Sequence, residues 1–219
     1  MIRYAILLLA LTSLGGCAAG LASRADTLGS SRKAITQATP CCEMYSEFNF
    51  EPISIPSDKK FDLDRSSPAF VFPSGKSFFR AFRLPTFNVP YTLEIESRFA
   101  GEGLTVHSMW MYYPVLMYLD EQYKPVKVIR DLPFQFTATW SERRYGMSAK
   151  VLVSESMKQV RYVVIYTEPD FVSRAYQFHA RGTSGTGWIV NASSENSAAL
   201  PFNYEGRVGI SAYPYKPTP

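Results

Sequence analysis

Histidine is nearly missing from this chain of 219 residues: His107 and His179 are the only two. Neither has a second His, Cys or carboxylate at ligand spacing, so the sequence offers no metal site, and no cofactor is expected. No Gly-x-Ser-x-Gly elbow occurs, which removes the most legible signature of a serine hydrolase. The run Gly182-Thr183-Ser184-Gly185-Thr186-Gly187 is glycine-rich but lacks the Lys-Ser/Thr of a phosphate loop, and it reads as a hairpin or loop. Basic runs are short. The longest are Ser31-Arg32-Lys33 and Glu142-Arg143-Arg144, in a chain of formal charge +4, so a nucleic-acid partner is not expected. Long apolar runs are also lacking: none reaches the ~20 residues of a membrane-spanning helix.

The first residues nevertheless carry an export pattern. Met1-Ile2-Arg3-Tyr4 is a short basic start, Ala5 to Leu11 is an unbroken apolar core, and small residues precede Cys17. That is the layout of a secretory signal over residues 1–16. Leu14-Gly15-Gly16-Cys17 resembles the lipobox of bacterial lipoproteins, where small residues let the processing enzymes approach the backbone. The resemblance implies a diacylglycerol on the Cys17 sulfur, cleavage before it and a third acyl chain on the new amine. Two or more chains, at ~0.8 kcal/mol per buried methylene, make a stable anchor. Ala18 and Ala19 follow, with no Asp beside the cysteine. By resemblance to enterobacterial lipoproteins this implies sorting to the outer membrane, on its periplasmic side.

Residues 17–40 are poor in apolar side chains and are expected to form a flexible tether behind the lipid, spanning on the order of 26 Å. The remainder, 41–219, is long enough for one domain with a sizeable core. Cys41 and Cys42 stand at its start. An exported chain meets oxidising conditions, so free thiols there are unusual, yet neighbours can close only a strained ring. Two readings stay open: a vicinal disulfide, or a pair of buried small side chains.

Beyond residue 50 the apolar pattern has period two. Phe61 and Leu63, Phe70 and Phe72, and Phe78 to Leu84 read as strands. Tyr91 to Ser97 places Leu93 and Ile95 on one face and Glu94 and Glu96 on the other. Val115 to Leu119 and Val126 to Ile129 flank a turn from Asp120 to Pro125 and read as a hairpin. Further strands are expected over Phe134 to Trp140, Ala149 to Val153, Val160 to Tyr166, Gly187 to Val190 and Arg207 to Tyr213. Pro169 suits the first turn of a helix over Glu168 to Gln177. Strands without intervening helices exclude a parallel doubly wound sheet. The pattern predicts an all-β, antiparallel two-sheet β-sandwich, jelly-roll-like, with one or two short helical turns.

Several of these segments together resemble the maltose operon periplasmic protein family (MalM-like). They are Ser74 to Pro85, Tyr91 to Ser97, the hairpin Pro114-Val115-Leu116-Met117-Tyr118-Leu119-Asp120-Glu121-Gln122-Tyr123-Lys124-Pro125, and Arg161 to Glu168. The similarity runs over roughly residues 40–180. It implies an exported, non-enzymatic protein associated with carbohydrate uptake, and it supplies no binding residues to carry over.

Candidate sites follow from the aromatics and carboxylates. Trp110, Tyr112, Tyr113, Trp140 and Trp188 are the rings available for sugar stacking or for the core. Trp110 and Tyr112 share one face of a strand and are the designated stacking pair. Asp62 with Asp64, and Glu94 with Glu96, resemble paired glycosidase carboxylates in type only; within one strand each pair reads as a solvated face. The sequence therefore predicts a binding or accessory module of carbohydrate transport, held to the membrane by its N-terminal lipid, with an oligosaccharide or an envelope protein as partner. The alternative is a structural or assembly lipoprotein docking on another envelope complex.

Overall fold

The computed structural model describes residues 15–101, 109–139, 144–178 and 198–216. Its strands, in chain order, are β1 (Phe50–Pro52), β2 (Ser57–Leu63), β3 (Ala69–Phe72), β4 (Gly75–Arg83), β5 (Tyr91–Arg98), β6 (Ala100–Gly101), β7 (Met109–Tyr112), β8 (Val115–Leu119), β9 (Pro125–Ile129), β10 (Gln135–Thr139), β11 (Arg144–Val153), β12 (Tyr162–Tyr166), β13 (Ala175–Phe178), β14 (Ala198–Asn203) and β15 (Gly206–Pro214). The all-β sandwich is thus present. The expected hairpin is β8 against β9, antiparallel, with Leu116 opposite Ile129. The segment from Gly187 to Val190 lies outside the described residues.

Five strands in the order β10-β11-β5-β15-β2 make one antiparallel sheet. Its register sets Ile95 between Ala149 and Ile210, and Leu93 between Val151 and Ala212, so the middle of one face is apolar, with Ser97 buried at the next level. The other face carries Glu94, Glu96 and Lys150, as alternation requires. A second sheet runs β1-β4-β12-β8-β9, with β3 paired to the first half of β4. Its inner strands β4, β12 and β8 are buried on both sides, while β1 and β9 at its edges are more exposed. Val115 to Leu119 are all buried, and successive residues enter different clusters: Leu116 and Tyr118 join Leu93 and Ile95, while Val115, Met117 and Leu119 join Phe79, Val164 and Tyr166.

This second cluster is closed by a third sheet, β13-β14-β7-β6, through Met111, Leu200 and Phe202. The second sheet therefore lies between two apolar clusters, which is why its strands read as unbroken apolar runs. Each fully buried Leu, Val, Met or Phe contributes roughly 1.5–3 kcal/mol to the fold.

Two expectations need correction. Residues 17–40 were expected as a flexible tether, but Gly15–Gln37 form a helix, α1. The segment is rich in alanine, the best helix former. Ser31 and Ile35, one turn apart, are buried against the domain. The Ser31 hydroxyl donates to Asn203 Oδ1, and Lys76 Nζ donates to the carbonyls of Thr36 and Ala38, both at 2.9 Å, closing the helix C-terminus. A helix needs only one docked stripe, which counting apolar residues does not detect. Among the described residues, no helix is long and apolar enough to cross a membrane. The second correction concerns Glu168 to Gln177. Only Pro169–Val172 are helical, forming α2, and the chain then enters β13. Pro169 does open that turn. Its ring packs on Gly75, where φ is +130° and an added Cβ would lie 2.7 Å from Pro169 Cγ, so glycine is required at Gly75 for both backbone and space.

Candidate functional site

The designated stacking pair is not displayed. Tyr112 is fully buried, and burial pushes its phenol far above the usual range. Its backbone carbonyl accepts a hydrogen bond from the Ser97 hydroxyl. Trp110 is half-buried, opposite Ala100. Both faces of β7 are used for packing: Tyr112 enters the cluster of Leu93, and Met111 enters that of Phe79. Tyr112 is therefore a core residue and has no free ring face for a ligand. Tyr113 is likewise engaged, stacked on Phe171 at 4.3 Å. Cys17 lies in α1. His107, Trp140, His179, Gly182 to Gly187 and Trp188 lie outside the described residues.

The carboxylate pairs point to structure. Glu96 pairs with Arg98 at 3.2 Å, and Glu94 accepts the Tyr213 hydroxyl proton at 3.1 Å. Asp62 pairs with Arg207 at 3.3 Å, while Asp64 accepts from Ser66 just past the end of β2. Among the described residues no cluster of three metal-ligating side chains occurs.

An open groove lies elsewhere, where the chain leaves α1. Cys41 and Cys42 are joined by a disulfide. Cys41 is exposed and Cys42 half-buried, so they are not a buried pair. The Cys41 amide donates to Ala69 O at 2.9 Å, pinning the loop to the edge of β3. A single helical turn, Tyr45–Glu47, follows. The Glu47 carboxylate accepts the amides of Glu43 at 2.7 Å and Met44 at 3.2 Å. Those two bonds hold its pKa below the usual glutamate value.

Aromatic packing fixes the floor. Phe48 is buried against Phe79, centroids 4.1 Å apart, and edge-on to Phe70 at 4.9 Å. Tyr45 tilts over Phe70 at 5.3 Å and stays half-exposed, with its phenol pKa raised by partial burial. The β8–β9 turn brings Gln122 and Tyr123 to the same depression. Asp120 Oδ1 accepts the amides of Gln122 and Lys124, at 2.9 and 2.8 Å, shaping that turn. Tyr123 sits at φ +60°, the left-handed region that favours glycine or asparagine. Its ring stacks on Tyr162 at 4.9 Å and 15°, and lies 5.6 Å from Phe50.

The result is two adjoining depressions. One, of about 650 Å³, has Tyr45, Met44, Gln122 and Tyr123 in its walls. The other, of about 790 Å³, is walled by the Cys41–Cys42 disulfide and Glu47. Glu43, Phe70 and Val71 border both. Met44 and Val71 are more than half exposed, at 59% and 56%, large apolar side chains open to solvent at one place. Chemically the groove offers ring faces, a disulfide, the Ser46 hydroxyl and acceptor oxygens. Sequence reasoning missed it because its parts come from three separate segments, residues 40–47, 70–73 and 122–123. The one signal available was a tyrosine at a turn position where glycine is preferred.

The class is thus an all-β sandwich carrying an open, aromatic-floored surface groove. Residues 74–181 match the family model described as "Maltose operon periplasmic protein precursor (MalM)", so the chain carries a MalM-family domain. The family is periplasmic, which agrees with a carbohydrate-related role in that compartment. The matched span is shorter than the resemblance over residues 40–180: it holds β4 to β13, with Gln122 and Tyr123, and leaves Cys41 to Tyr45 outside. No curated protein matches the chain.

Proposed function

We propose that this chain is a non-enzymatic lipoprotein, anchored through Cys17 on the periplasmic side of the outer membrane, that serves carbohydrate uptake as a binding or accessory module. The observation that carries the reading is the match of residues 74–181 to a periplasmic family of the maltose operon. The export pattern ending in Leu14-Gly15-Gly16-Cys17 supports the anchor.

Two measurements on the full-length chain expressed in a bacterial envelope test it. Wild type should take up labelled palmitate and fractionate with the outer membrane, and Cys17→Ser should lose both. The purified lipoprotein should retain neutral oligosaccharides from a mixed glycan panel and return them uncleaved. Cleaved products would make it an enzyme. An envelope protein co-purifying in fixed ratio, with no glycan retained, would make it an assembly lipoprotein instead.

A further inference from the structure

We infer that the groove beside the Cys41–Cys42 disulfide is a site for an uncharged oligosaccharide, with the Tyr45 and Tyr123 rings as its platform and the Glu43 carboxylate as its hydroxyl acceptor. The inference rests on the carbohydrate reading above and names the place where binding occurs.

A sugar ring has one face of C–H bonds and a rim of hydroxyls, so a receptor for it needs a rigid apolar surface edged by hydrogen-bonding groups. Tyr45 and Tyr123 line the same depression, on segments nearly eighty residues apart, and both are held by other rings. Tyr45 is braced by Phe48 and Phe70, and Tyr123 by Tyr162 and Phe50. Neither ring must be ordered when a ligand arrives, which removes part of the entropic cost of binding.

Tyr123 is the most informative residue. Its backbone lies in the left-handed region, where a tyrosine is disfavoured and glycine is not. The turn itself is already set by Asp120 and has no need of an aromatic ring. The ring held at this backbone cost packs on Tyr162 and Phe50 and at the same time borders the depression, which places a braced aromatic surface there.

The polar groups set the class of sugar. The exposed Glu43 carboxylate makes no ion pair among the described residues, and it borders both depressions. Gln122 adds an exposed amide to the first depression. Glu47 brings a second negative charge close by. Two carboxylates and no lysine or arginine in the walls accept hydroxyl protons and repel uronic or phosphorylated sugars. The polarisable disulfide sulfurs extend the apolar surface into the second depression, so the groove is long enough for more than one ring.

The test is calorimetric titration of the full-length processed protein with maltoheptaose, cellohexaose and oligogalacturonate. It compares wild type with Tyr123→Gly and Glu43→Gln. Glu43 is exposed, so Glu43→Gln should keep the wild-type melting temperature. Glycine suits the backbone at 123 but gives up the stack on Tyr162, so Tyr123→Gly should melt lower in a single transition and stay folded at the titration temperature. The expected result is binding of a neutral oligosaccharide, no binding of oligogalacturonate, and at least tenfold weaker binding in each variant. If wild type binds a neutral glycan and both variants bind it equally well, this site is overturned while the carbohydrate reading stands. Preference for oligogalacturonate would also overturn the site. If wild type binds none of the three, and retains nothing from the broader panel, both fall.

Discussion

Glu47 is fully exposed, yet its carboxylate accepts two backbone amides and so shapes the turn that presents Glu43 and Tyr45 to the groove. A carboxyl whose folded pKa is depressed stabilises the fold above the unfolded value. That contribution is lost as pH falls through the folded one. Protection of the Glu43 and Met44 amides should therefore be steady at neutral pH, decline below the ordinary glutamate value of 4.5, and vanish further into acid. In Glu47→Gln it should be weak and independent of pH. Amide exchange followed by NMR between pH 7 and pH 3 measures this, and acid-insensitive protection in wild type would show that something else holds the turn. At the same scale, Tyr123 shows what a sequence scan can see. A tyrosine in a Leu-Asp-turn-Pro hairpin is visible in the string, but its positive φ and its stack on Tyr162 exist only once the hairpin and β12 are in place.

Among the elements, α1 departs furthest from expectation. Its hold on the domain comes from Ile35, 3% exposed, from the Ser31 hydroxyl, and from Lys76 on its terminal carbonyls. Large-to-small changes in a core cost ~2–5 kcal/mol, and a helix at the edge of the domain can relax or fray to lose less. Ile35→Ala should cost about 1–3 kcal/mol of helix docking. Deuterium exchange over residues 26–37 should rise while β5 and β15 stay protected. Equal loss of protection in those strands would mean that α1 belongs to the main cooperative unit. The strands were easier to read. β2, β5 and β15 alternate because one face meets water, whereas the two-residue β6 and the proline-containing β14 carry too little pattern to be distinguished from loop.

At the scale of the molecule, the second sheet joins what would otherwise be two separate cores. β4, β8 and β12 each send alternate residues to the Leu93 cluster and to the Phe79 cluster, so neither can open without the other losing a wall. Leu116→Ala removes packing on one side and Met117→Ala on the other, each at ~2–5 kcal/mol. Both variants should melt in one calorimetric transition, shifted down, with near-wild-type cooperativity. A second transition in either variant would divide the domain into two units.

From the sequence by itself came the export pattern, the all-β class, the β8–β9 hairpin and the resemblance to MalM, because each is written in neighbouring residues or in a period of two. Only the tertiary structure decided that a third sheet covers the back of β4, β8 and β12, and that Tyr112 is core. It also decided that residues 15–37 form a docked helix and that Cys41 to Tyr45 meet Gln122 and Tyr123 across one groove. The physical reason is the same in each case. A strand buried on both faces, a helix held by a single stripe and a groove walled by distant loops are set by contacts between residues far apart in the chain, and local hydrophobic periodicity carries no record of such partners.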